Sequence, residues 1–143
     1  MVLWAWIGTF NLILLMIQDY TNNRWVDDRK NWLMVGVSIG LLHIFGATWW
    51  VIILIVLVGA AMRFFLVRYN ALGEADINSI FWIYLGYCFI NIAFFIWFIA
   101  MFIGLYVIYF AVKKYIFKYN KPVPLYFVLL LAFGLNNILF GLY

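Results

Sequence analysis

The acidic side chains of this chain are five: Asp19, Asp27, Asp28, Glu74 and Asp76. Asp19 closes the first apolar run, and Asp76 opens a later one. Packing that brought these two to one membrane depth would make an acid pair, in which one shared proton leaves an ionised carboxylate free to activate a water for amide hydrolysis. Plainer roles are open to each. Asp76 alone fits a helix N-cap, and Asp19 alone fits a solvated acid at a membrane interface. The helix dipole favours a carboxylate at the N-terminal position of Asp76 and disfavours one at the C-terminal position of Asp19.

Other catalytic sets find little support. The single histidine, His43, sits among Leu41, Leu42, Ile44 and Phe45, and the serines are Ser38 and Ser79. Ser38 and His43 are five residues apart on one helix and would not face each other. His43 therefore reads as a packing or interfacial residue on the outer half of its span. No His or Cys pair has zinc-ligand spacing, and the lone Cys88 leaves no internal disulfide. No metal or cofactor is implied. Asn11, Asn91, Asn136 and Asn137 lie in apolar spans, where amides commonly bond between helices.

What must position the acids is a membrane bundle. With 70% hydrophobic and 10% charged residues and a mean hydropathy of +1.09, the chain is an integral membrane protein, not a soluble globule. The pI near 9.3 reflects loop Lys and Arg beside a membrane surface, so nucleic acid is not an expected partner. Residues 1–143 read as one membrane-embedded domain without linker, repeat or low-complexity run. The first apolar run lacks a basic n-region and a small-residue cleavage site, and it reads as a retained span.

Every formal charge falls within 19–30, 63–76 or 113–121. Each charge costs several kcal/mol in hydrocarbon, so these windows belong at a water interface or in a polar cavity. The charge-free stretches 1–18 and 122–143 each fit one helix of ~20 residues. The longer stretches 31–62 and 77–112 each need a turn. Gly46-Ala47-Thr48 before Trp49-Trp50 supplies one, and the polar groups of 87–91 supply the other. Six spans result, with all nine Lys and Arg in one compartment. The positive-inside bias makes that side cytoplasmic and puts both termini outside.

The sequence Leu15-Met16-Ile17-Gln18-Asp19-Tyr20, followed by a polar loop to Asp27, and the sequence Leu72-Gly73-Glu74-Ala75-Asp76-Ile77 together carry a resemblance. They resemble the type IV prepilin and archaeal preflagellin peptidases, membrane aspartyl proteases with one Asp ending span one and a second in a Gly-x-Gly-Asp motif entering span four. The likeness continues through Tyr84-Leu85-Gly86, Lys113-Lys114 and Lys121-Pro122-Val123-Pro124. It implies that Asp19 and Asp76 are the catalytic pair, with Gly73 and Ala75 as the motif backbone. A glycine at 73 would permit positive φ and close backbone approach beside the acid. Asp27 falls where that family has Asn or Asp after a proline. The chain departs at Ala75 (for the second glycine, as in the archaeal branch), at Val26 (for the proline), at Asn78 (where a Lys is common), and in tighter proline spacing before span six.

The resemblance implies cleavage, at the cytoplasmic face of the cell membrane, of the short basic leader of a pilin-like or preflagellin precursor, just before its hydrophobic helix. The chain has no cysteine-metal segment of the kind that larger N-methylating members carry, so peptidase activity without methylation is expected. Among the acids beside the pair, Glu74 and Asp27 are the candidates to hold the leader cation, and Asp28 fits a solvated counter-charge to Arg24, Arg29 and Lys30. The competing readings are a small non-enzymatic membrane protein, such as a transporter subunit or assembly factor, and a presenilin-like protease. Asp19 stands too close to the polar loop for the latter.

Overall fold

A computed structural model describes residues 2–21, 28–69, 73–115 and 125–143. These form six helices: α1 (Val2–Thr21), α2 (Arg29–Ile44), α3 (Trp49–Arg68), α4 (Glu74–Ile90), α5 (Ile92–Tyr115) and α6 (Leu125–Leu139). No strand occurs among the described residues, so the expected all-helical class holds. Helices α1, α3 and α5, of 20, 20 and 24 residues, are each long and apolar enough to cross a membrane. The other three are shorter, with 16 residues in α2, 17 in α4 and 15 in α6. At about 1.5 Å per residue they rise roughly 22 to 26 Å, against a hydrocarbon core of ~30 Å.

Both long apolar stretches are divided where polar or glycine residues interrupt them. Gly46 ends α2 with φ +90, a left-handed conformation that costs a side-chain-bearing residue about 1 kcal/mol or more. Its N–H donates to the His43 carbonyl and that of Ala47 to the Leu42 carbonyl, the paired bonds of a Schellman cap. Thr48 then enters α3 in an extended conformation. The second division is a single residue. Asn91, extended at φ −170 and ψ 128, follows α4, and its Oδ1 accepts the Ala93 N–H at 2.9 Å, capping α5. In an unbroken helix Tyr84 and Phe95 would lie about 16 Å apart along the axis. Their rings sit 5.1 Å apart, edge to face, so the helix is broken at Asn91. Asn91 is thus an exposed cap, not the interhelical amide that its apolar surroundings suggest.

The chain divides into two compact units, Met1–Trp25 with Ile96–Tyr143, and Val26–Phe95. In the second, α2 and α3 pack on α4 and on each other. Every residue from 77 to 87 is buried, which is why α4 reads as apolar on all its faces rather than along one stripe. At Gly59 α3 lies close against α4: a Cβ there would lie 2.5 Å from Phe81 Cε2 and 2.8 Å from Tyr84 Cε1. The outward positions of α3, such as Trp50, Leu54, Leu57 and Phe64, are exposed, on a helix long and apolar enough to cross a membrane.

In the first unit α1 packs on α6 through Trp4 and Phe133, whose rings meet edge to face at 5.5 Å. A second Schellman cap, at Gly141 with φ +63, turns the chain end back. The Thr9 hydroxyl gives its proton to the Ala5 carbonyl and so accepts one from the Tyr143 hydroxyl at 2.6 Å. Asn11, Asn136 and Asn137 are buried on these two helices.

Candidate active site

The motif 73–76 forms the start of α4. Gly73 is its N-cap with φ −62 and ψ 149, so the expected positive φ is not used; an N-cap takes the ordinary extended region, open to any residue. The close backbone approach is present instead. A Cβ on Gly73 would stand 2.9 Å from Asp76 Oδ2, so the Asp76 carboxylate folds back over the cap residue, as the third-position acid of a capping box does. Two acids, Glu74 and Asp76, occupy this first turn, where the helix dipole favours negative charge. Asp76 is half-buried and Glu74 exposed.

Asp19 lies in the last turn of α1, in the first unit, and is also half-buried. Gly73, Glu74, Ala75 and Asp76 belong to the second unit. Asp27, Val26 and the segment Lys121-Pro122-Val123-Pro124 lie outside the described residues.

Behind the motif runs a hydrogen-bonded chain that the sequence does not announce. Asn31, fully buried in the first turn of α2, gives one amide proton to Asp28 Oδ1 at 3.1 Å and the other to the Ala75 carbonyl at 3.0 Å. Its Oδ1 accepts the Trp82 indole N–H at 3.2 Å and lies 2.9 Å from the Ser79 hydroxyl, whose single proton also reaches the Ala75 carbonyl at 3.1 Å. Asp28 Oδ2 accepts a bond from Asn78 Nδ2. Asn78 Oδ1 accepts from Arg63 Nε, and another guanidinium N–H of Arg63 bonds Glu74 Oε1 at 2.7 Å. The same guanidinium lies over the Trp32 ring, 5.5 Å from its centroid.

Each amide in this chain has one orientation that satisfies all its partners. Donation runs from cationic Arg63 through Asn78 to the Asp28 carboxylate, and from Trp82 through Asn31 to the same carboxylate. Unpaired, such groups would cost about 1–3 kcal/mol each in a buried setting; paired in this manner they fix α2, α3 and α4 at one end.

Three expectations change accordingly. Asp28 is a half-buried acceptor that ties α2 to α4, not a solvated counter-charge. Glu74 already holds a cation, that of Arg63. Asn78 fills a bonded position in the chain rather than simply lacking the positive charge of a lysine. The polar residues Asn31, Asn78 and Ser79 just inside the ends of apolar helices were the available signal, but their partners sit 44 to 51 positions away or on another helix.

Ser38 and Ser79 are both buried and bonded within α2 and α4, Ser38 at 3.4 Å from the Trp82 carbonyl. His43 occurs in the last turn of α2, stacked on Trp49 at 4.4 Å. Among the described residues no cluster of three or more His, Cys, Asp and Glu is placed to hold a metal ion. Comparison with family models, with curated proteins and with solved structures gives no match for this chain.

Proposed function

We propose that this chain is a membrane aspartyl endopeptidase that removes the short basic leader of a type IV pilin-like or preflagellin precursor at the cytoplasmic face, with Asp19 and Asp76 as its acid pair and without N-methylation. The observation that carries the reading is the setting of the two acids. Each is half-buried at the end of an apolar helix, where an exposed carboxylate would be better solvated. The motif resemblance at 73–76 supports the same assignment.

The chemistry asked of the pair is water addition to an amide. The ionised acid takes a proton from water as the water oxygen bonds to the scissile carbonyl carbon, and the protonated acid gives its proton to the carbonyl oxygen. Collapse of the tetrahedral adduct breaks the C–N bond, and the amine leaves with a proton returned from the pair. The precursor supplies a basic leader and a hydrophobic helix that lies in the bilayer, so scissile bond and acids share the membrane interface.

In this reading all six helices cross the cell membrane, with both termini outside. Support comes from the tight divisions at Gly46 and Asn91 and, among the described residues, from the confinement of Lys and Arg to the start of α2 and the C-terminal parts of α3 and α5. Glu74 has a 68% exposed side chain despite its Arg63 partner, so it remains open to a leader cation. Asp27 is its sequence-level companion in that role.

A second reading, a non-enzymatic membrane assembly factor, is favoured by the hydrogen-bonded chain that gives Asp28 and Glu74 structural partners. Membranes containing the chain, incubated with a precursor bearing a basic leader before its apolar helix, separate the two. Mass spectrometry should find the leader released at that junction. An intact precursor would support the assembly-factor reading.

A further inference from the structure

Asn31 touches α4 along a single stripe. Its contacts are the Ala75 carbonyl, the Ser79 hydroxyl and the Trp82 indole, at positions i, i+4 and i+7 of one helical face. Ala75 directly precedes Asp76. Its carbonyl and Asp76's amide share one planar peptide unit, so a bond that holds the carbonyl also fixes the backbone from which the Asp76 side chain departs. Asn31 is 0% exposed and both its amide hydrogens are committed. It is held in turn by Asp28, which Asn78 anchors from the next turn of α4.

We infer that Asn31 is a positioning residue for Asp76: through the Ala75 carbonyl, and backed by Asp28, it sets the backbone that carries the acid at the start of α4. This rests on the peptidase reading for its catalytic consequence, but the placement itself does not. Asn31 touches no reacting atom. Its loss should therefore lower turnover while leaving precursor binding alone, because misplacement of a catalytic group by about 1 Å costs roughly a hundredfold in rate. Ser38 provides the control. It lies on the same helix and bonds the same neighbour, at the Trp82 carbonyl, but farther from Asp76 along α4. A defect that came merely from loosening α2 against α4 would follow either substitution.

The test compares Asn31→Ala and Ser38→Ala in leader cleavage, with the amount of folded protein in membranes measured for each. The expected result is a kcat lower by about a hundredfold for Asn31→Ala at a KM within about twofold, with Ser38→Ala unchanged in both. Equal losses in the two variants, or full kcat in Asn31→Ala, would overturn the inference. A readout independent of cleavage accompanies it. Asp76→Cys in a Cys88→Ser background is labelled by a water-soluble thiol reagent with and without Asn31→Ala, and the rate should change severalfold with that substitution and not with Ser38→Ala. An unchanged rate sinks the positioning role whether or not the chain is a peptidase. Absence of cleavage by the unsubstituted chain, with the labelling rate changed, sinks the peptidase reading and leaves the positioning role standing.

Discussion

Gly59 offers a sharp test of the packing that presents α4. Any side chain at this position must enter the space of two rings, since a Cβ would stand 2.5 Å from Phe81 and 2.8 Å from Tyr84. Neither ring can swing into solvent, being 4% and 6% exposed. Overpacking of a filled core costs about 1–3 kcal/mol, whereas Gly to Ala in a helix interior gains about 0.5–1 kcal/mol. The clash therefore wins, and Gly59→Ala should lose roughly 1–2 kcal/mol. Gly36 in α2 has nothing within 4 Å of its would-be Cβ, so Gly36→Ala should keep the helix gain of about 0.5–1 kcal/mol. Thermal unfolding of the detergent-solubilised protein, followed by helical circular dichroism, compares the two. Gly59→Ala should melt a few degrees lower and Gly36→Ala level with or above the parent. Addition of Phe81→Leu should recover part of the loss, because the two sites are coupled. A Gly59→Ala protein as stable as Gly36→Ala would refute the close crossing of α3 on α4.

Two further predictions concern topology and substrate. Single cysteines at Thr21, Tyr69 and Tyr115, in a Cys88→Ser background, should label from the cytoplasmic side, and those at Thr48 and Tyr143 from the outside; labelling of Thr21 and Tyr69 from opposite faces would rule out six spans. Glu74→Gln should weaken processing of a basic leader more than that of a leader with its cation removed. The difference should be under about fivefold, since an exposed pair is worth at most ~1 kcal/mol and Arg63 competes for the carboxylate; equal effects on both leaders would leave Glu74 a structural partner of Arg63.

The divisions of the helices were legible because their causes are local. Gly46 is the residue that enters the left-handed region without penalty, and Asn91 is a polar residue in an apolar run that supplies its own capping oxygen. The same locality misled at Gly73, where a glycine beside an acid suggested positive φ, while the observed requirement is room for the Asp76 carboxylate. Asn91 was ambiguous for a related reason: composition alone does not distinguish an amide that joins spans from one that caps a helix. The chain of bonds from Glu74 through Arg63, Asn78 and Asp28 to Asn31 was not legible. It joins three helices, and nothing in the spacing of Asp28, Arg63 and Asn78 says that they meet. Charge windows located Asp28 and Arg63 near helix ends, but only packing told a bonded Asp28 from a solvated one.

The central claim is that Asp19 and Asp76 act as one acid pair, and the most direct measurement is precursor processing by Asp19→Asn and Asp76→Asn in membranes where each variant is inserted to the level of the parent. Each substitution should abolish leader release, because the amide can neither take a proton from water nor give one to the scissile group. Retained cleavage by either variant, at any rate comparable to the parent, would contradict the assignment of the pair.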